Sequence, residues 1–165
     1  MSYIYDTANE LIEKNKTRNP FTICENEGIK VKYVDYLDRL PGMVVYILGK
    51  PAVVINSKLT SQQQMEVCAH ELGHILLHAD EMSSGYLENY EIYEMQDKKG
   101  YQANVFAAHL LIDEDEMLDH FYEGYDVFAT SKILEVNPIL LNIKLTDMNH
   151  MGYNFPTSWG GTKLY

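Results

Sequence analysis

Positive charge is scarce in this chain: 13 Lys and Arg face 24 Asp and Glu, for a formal net charge of −11 over 165 residues. A field of that sign repels phosphate backbones, and the basic residues present (Lys14, Lys16 and Arg18, or Lys98 and Lys99) are too scattered to form a patch. Direct nucleic-acid binding is therefore not expected. Cysteine is nearly absent as well. Two thiols, Cys24 and Cys68, exclude a disulfide framework, and at that sequence separation they are expected to be reduced and buried. No apolar run approaches the ~20 residues of a membrane-spanning helix. The start, Met1-Ser2-Tyr3-Ile4-Tyr5-Asp6, lacks the basic residues and apolar run of a signal peptide, so the expected location is cytoplasmic. Internal repeats and low-complexity segments are missing too.

What is present is ample core material. Hydrophobic residues make up 46% of the chain, including 13 Tyr and 5 Phe, which suits one continuous core. The reading is a single domain over residues 1–150 and a loosely ordered tail over 151–165, where Trp159, Gly160 and Gly161 lie. Ile4, Ala8, Leu11 and Ile12 recur at helical spacing over residues 3–16. Asn19-Pro20 opens a turn or short helix ending near Gly28, and Ile29–Asp35 alternates as a strand. Met43–Leu48 and Ala52–Ile55 form a hairpin around Gly49-Lys50-Pro51. Thr60 and Gln63 make a capping box for a helix over 61–78. Residues 80–97 read as an acidic, tyrosine-rich loop. A second helix carries Ala103, Phe106, Ala107 and Leu110. The acidic run Asp113–Glu116 suits the positive end of a third helix ending near Gly124. Asn137-Pro138 caps a last helix reaching Met148. The order predicts an α+β fold with a small sheet to one side.

One segment carries chemistry: His70-Glu71-Leu72-Gly73-His74. On a helix His70 and His74 stand about 40° apart and roughly 6 Å along the axis, so two imidazoles converge on one ion. Glu71 projects about 100° from His70, placed to take a proton from an attacking water rather than to ligate. The apolar stripe Met65, Cys68, Ala69, Leu72, Ile75, Leu76 and Ala79 is expected to face the core, with the histidines toward a cleft and Gly73 keeping the wall beside the metal low. His78 lies ~12 Å from His70 along a straight helix, which fits a helix-end residue or a support for the ligands. His109, His120 and His150 have no partner at ligand spacing and read as ordinary polar residues.

The stretch His70-Glu71-Leu72-Gly73-His74-Ile75-Leu76-Leu77-His78, with Tyr101-Gln102-Ala103-Asn104-Val105-Phe106-Ala107-Ala108-His109-Leu110-Leu111 after it, resembles the ImmA/IrrE metallo-endopeptidase family. The resemblance covers most of the chain and is loose after Asp126. It implies a minimal, gluzincin-like zincin, with a small mixed sheet packed on the metal helix and a second helix, then C-terminal helices. It implies Zn²⁺ held by His70 and His74, Glu71 as general base, and an extended substrate on an edge strand near Ala52–Ile55. The implied partner is a helix-turn-helix repressor of a phage or integrative element, whose cleavage releases gene expression. In such a family a Glu of the second helix is the third ligand, and Gly100 stands at that position. Asp97, Glu94, Glu91 and the neutral Gln102 are the candidate replacements. The alternative is a pseudo-peptidase that keeps the fold as a protein-binding module. A closed, four-ligand structural zinc site is the weakest reading, because no cysteine stands near the two histidines.

Overall fold

A computed structural model describes residues 3–38, 40–79 and 98–155. Helix α1 (Tyr3–Asn15) is followed by α2 (Pro20–Asn26), β1 (Lys30–Val34), β2 (Gly42–Ile47), β3 (Lys50–Asn56) and α3 (Ser61–Leu77). Residues 80–97, read above as a loop, lie outside the described residues; beyond them come α4 (Lys98–Leu111), α5 (Glu114–Tyr122), α6 (Val127–Ile133) and α7 (Pro138–His150). The class is α+β, with helices on a small mixed sheet. Among the described residues no helix is long and apolar enough to cross a membrane.

Helix starts follow local chemistry. Asn19 Oδ1 accepts from the Phe21 and Thr22 amides, with Pro20 at the first position, where its missing N–H costs nothing. Thr60 and Gln63 form the reciprocal capping box of α3. Asn137 caps α7 by accepting from the Ile139 amide. Helix α6 has no counterpart in the sequence reading. Its signal was Asp126, whose carboxylate accepts from the Ala129 amide at 2.8 Å.

The sheet order is β1-β3-β2, with β1 parallel and β2 antiparallel to β3. This corrects one expectation: the Ala52–Ile55 run lies in the central strand and has no free edge. Among the described residues the edge strands are β1 and β2. The hairpin turn also shifts by one residue. Leu48 and Gly49 form it, both at positive φ (52° and 76°), the two-residue turn that matches strand twist, and Lys50 and Pro51 already belong to β3.

Helix α3 lies in the middle of the molecule. It packs against α4 on one side and against α2, β2 and β3 on others. From Glu66 to Ile75 every residue is buried, polar and apolar alike. Among the described residues, burial therefore does not separate a core stripe from an open face on this stretch. Gly73 also takes a different role from the one its place in the motif suggests. A Cβ there would meet Phe106 Cδ1 at 3.0 Å and Ala103 Cα at 3.1 Å, so its missing side chain lets α3 and α4 approach closely.

The far end of α4 is closed by cations, as its dipole favours. Arg18 donates to the His109 and Leu110 carbonyls and pairs with Asp113 at 2.9 Å. Lys144, 1% exposed, donates to the Ile112 carbonyl. Residues 151–155 fold back onto α7, where the Asn149 amide bonds both the N–H and the carbonyl of Phe155.

Candidate metal centre

Helix α3 brings the motif side chains into a buried cluster. His70, Glu71 and His74 are 1%, 5% and 2% exposed. The two Nε2 atoms of His70 and His74 face each other at 3.0 Å, and the rings meet edge to face with centroids 4.7 Å apart. His70 Nδ1 lies 2.7 Å from Asn104 Oδ1 on α4. A carbonyl oxygen only accepts, so His70 Nδ1 carries the ring proton and Nε2 presents its lone pair.

Electrostatics point the same way. Burial pushes His70 down to about 4, against a smaller upward pull from the Asn104 hydrogen bond. Burial also pushes His74 down to about 2, with further downward contributions from His70, His78 and Lys99. Both rings are thus neutral near pH 7, the form that ligates metals. Burial raises the Glu71 carboxyl to about 8, close to the range that favours proton exchange in either direction.

Strand β2 begins beside this carboxyl. The place a Cβ would occupy on Gly42 is 3.6 Å from Glu71 Oε1, and it is also hemmed in by Val67 and the Val54 carbonyl. Nothing in the local sequence around Gly42 marked it as a neighbour of the motif. Asn104 stands in the Ala-Asn-x-Phe-Ala stretch, but helical spacing alone gives it no role toward His70.

The remaining candidates separate as follows. His78 is the C-cap of α3, its amide bonded to the His74 carbonyl, and its ring centroid lies 5.5 Å from that of His74. His109 points elsewhere, bonded to Asp147 at 2.9 Å and edge-on to Tyr5. Gly100 is buried on α4 one turn before Asn104, on the same face, and offers no donor side chain. Gln102 stands about 200° round the helix from Asn104, so α4 does not carry it toward His70. Asp97, Glu94 and Glu91 lie outside the described residues. Among the described residues no group of three or more His, Cys, Asp or Glu is arranged around a common point for a metal.

The donor set present still suits zinc at two positions. Tetrahedral Zn²⁺ with Zn–N bonds of about 2.0–2.1 Å separates two imidazole nitrogens by about 3.3 Å, and the pair here stands at 3.0 Å. The histidine held through its far nitrogen by an amide carbonyl is the usual support of a metal ligand.

Comparison with known proteins gives two matches. The family model Peptidase_M78, described as an IrrE N-terminal-like domain, matches residues 24–136. That span holds β1–β3, α3, α4 and the whole cluster. The chain is also 32% identical over 97 residues to "Uncharacterized immunity region protein 2" of Bacillus phage phi105, an alignment covering 59% of this chain and 60% of that protein.

Proposed function

Because the chain belongs to the Peptidase_M78 (IrrE N-terminal-like) family, we propose that it is a zinc-dependent metallo-endopeptidase of minimal zincin architecture. The observation that carries this reading is the buried pair of Nε2 atoms 3.0 Å apart, with His70 held through its other nitrogen by Asn104. His70 and His74 are the proposed ligands and Glu71 the catalytic base. Zinc, when bound, would supply Lewis-acid polarisation of the scissile carbonyl. Glu71 takes the proton of the attacking water and passes it to the leaving amine. Asn104 fixes the His70 ring. The enclosing walls from Gly42, Val67 and α4 exclude bulk water, which strengthens every charge interaction inside.

The substrate strand is proposed to add along β2. Its sequence, Gly42-Met43-Val44-Val45-Tyr46-Ile47, contains no charge, whereas the other edge, β1, carries Lys30 and Lys32. Lysines blunt an edge against pairing, and an uncharged edge accepts it. The β2 edge also starts beside Glu71, so a segment paired there runs past the reacting groups.

The likeness to a phage immunity-region protein supports a phage or mobile-element setting. In that setting the proposed substrate is a helix-turn-helix repressor, and its cleavage derepresses the genes it controls. The acidic surface suits docking on a basic DNA-binding protein.

Two measurements test the reading. Elemental analysis of purified protein should find one zinc per chain, and none after His70→Ala. Incubation with a helix-turn-helix repressor encoded beside this chain should give two fragments by mass spectrometry, and Glu71→Gln should leave the repressor whole. Zinc-free protein that binds the repressor without cutting it would instead identify the pseudo-peptidase.

A further inference from the structure

Cys24 and Cys68 are far apart in the sequence, yet the fold brings their Sγ atoms to 3.8 Å. Both are free and 0% exposed. Cys24 sits on α2 and Cys68 on α3, two residues before His70, so the pair spans the interface between a seven-residue helix and the helix carrying the motif. Bridging them would take the sulfurs from 3.8 Å to the ~2.05 Å of a disulfide and so draw the two helices together. Helix α2 spans only seven residues, Pro20–Asn26, and access of a small oxidant to the buried pair requires it to open locally.

We propose that Cys24 and Cys68 form a redox site in which a peroxide closes an intramolecular disulfide that draws α3 toward α2. In the first step the Cys24 sulfur attacks hydrogen peroxide. An S–O bond forms, the O–O bond breaks, and the second oxygen leaves as water with the thiol proton, giving a sulfenic acid. The Cys68 sulfur then attacks that sulfur. The S–S bond forms, the S–O bond breaks, and a second water departs with the Cys68 proton. Two thiols are oxidised and one peroxide is reduced to two waters.

The consequence reaches the histidines through α3. A shift of Cys68 toward α2 pulls the same helix away from α4, on its opposite side, and lengthens the 2.7 Å contact from His70 to Asn104. Ligand constellations tolerate only about 0.5 Å of displacement, so oxidation weakens metal binding. This second half rests on the zinc reading above. The disulfide itself is scored without metal, which keeps the two failures apart.

The experiment treats the native, metal-free full chain with hydrogen peroxide and then alkylates free thiols under denaturing conditions. The expected result is loss of both titratable thiols, a 2 Da decrease in intact mass, a proteolytic peptide pair joining Cys24 to Cys68, and full reversal by dithiothreitol. Cys24→Ala should abolish the 2 Da loss. If that variant does not fold, the peptide map decides alone. Zinc competition against a chromophoric chelator should show at least tenfold weaker binding in the oxidised chain, restored on reduction. Two intact thiols under a peroxide dose that oxidises the urea-unfolded chain would overturn the redox site, as would sulfinic acid without a bridge. A bridge that leaves zinc affinity unchanged would overturn its control of the metal centre.

Discussion

The Nδ1 atom of His70 on α3 and the carbonyl oxygen of Asn104 on α4 stand 2.7 Å apart, both buried. This contact fixes which nitrogen of His70 faces its neighbour His74. It also ties together the two helices of the site, α3 and α4, whose bonded residues are 34 positions apart in the sequence. Asn104→Ala is expected to weaken zinc binding by roughly 10–100-fold, the usual cost of losing a ligand's support. Asn104→Asp should keep binding near the parent value, because a carboxylate accepts the same proton. Chelator competition on both variants checks this, and parental affinity in Asn104→Ala would remove the positioning role.

The α3–α4 crossing depends on Gly73. A methyl group there would stand 3.1 Å from Ala103 Cα and 3.2 Å from the Ala103 carbonyl oxygen. Those are backbone atoms and cannot step aside as a side chain would. Gly73→Ala should therefore cost about 1–3 kcal/mol of stability as the helices separate, the range for overpacking. Urea unfolding measures it, and a midpoint equal to the parent's would mean that the crossing is looser than drawn.

Lys144 gives a pH signature. Burial, aided by Arg18, pushes its ammonium down to about 8, against smaller upward pulls from Glu114 and Asp113. The unfolded chain keeps an ordinary lysine value of about 10.4. Between those values the unfolded state binds more protons than the folded one, so this group makes stability rise with pH. Below about pH 8 both states are charged, and the group contributes no slope. The expected outcome is a stability slope between about pH 8 and 9.5 that is less positive in Lys144→Met than in the parent. Equal slopes in the two proteins would remove this contribution from Lys144.

Much of the architecture was legible because its signals are local. The Thr60–Gln63 capping box, Asn19-Pro20 and Asn137-Pro138 each set a helix start through contacts within three residues. The helical spacing of His70 and His74 was enough to place their rings together. What was not legible depends on long-range placement. The pattern of β3, four apolar residues in a row, suits a central strand as well as an edge, and only its partners decide. Burial of Glu66 on α3 comes from capping a distant helix, since its carboxylate accepts the Asn137 amide at 2.6 Å. Gly42 beside Glu71, Gly73 against Ala103 and Cys24 against Cys68 are likewise meetings of separate elements, and no window of sequence contains both members.

The β2–β3 turn offers the last test. Leu48 is 99% exposed and sits at φ 52°, a left-handed conformation that costs an L-residue with a Cβ about 1–2 kcal/mol. The side chain touches little that could offset this. Asparagine tolerates that region, and Asn-Gly is the preferred pair for a two-residue hairpin turn. Leu48→Asn should therefore raise stability by roughly 0.5–1 kcal/mol in urea unfolding, with the strand register unchanged. The substitution leaves the charge-free stretch Gly42–Ile47 intact, so repressor cleavage should continue at the parental rate if the substrate pairs along β2 alone. A stabilised protein that cleaves the repressor more slowly would show that the exposed leucine itself contacts the substrate, and would extend the docking edge past Ile47 to the tip of the hairpin.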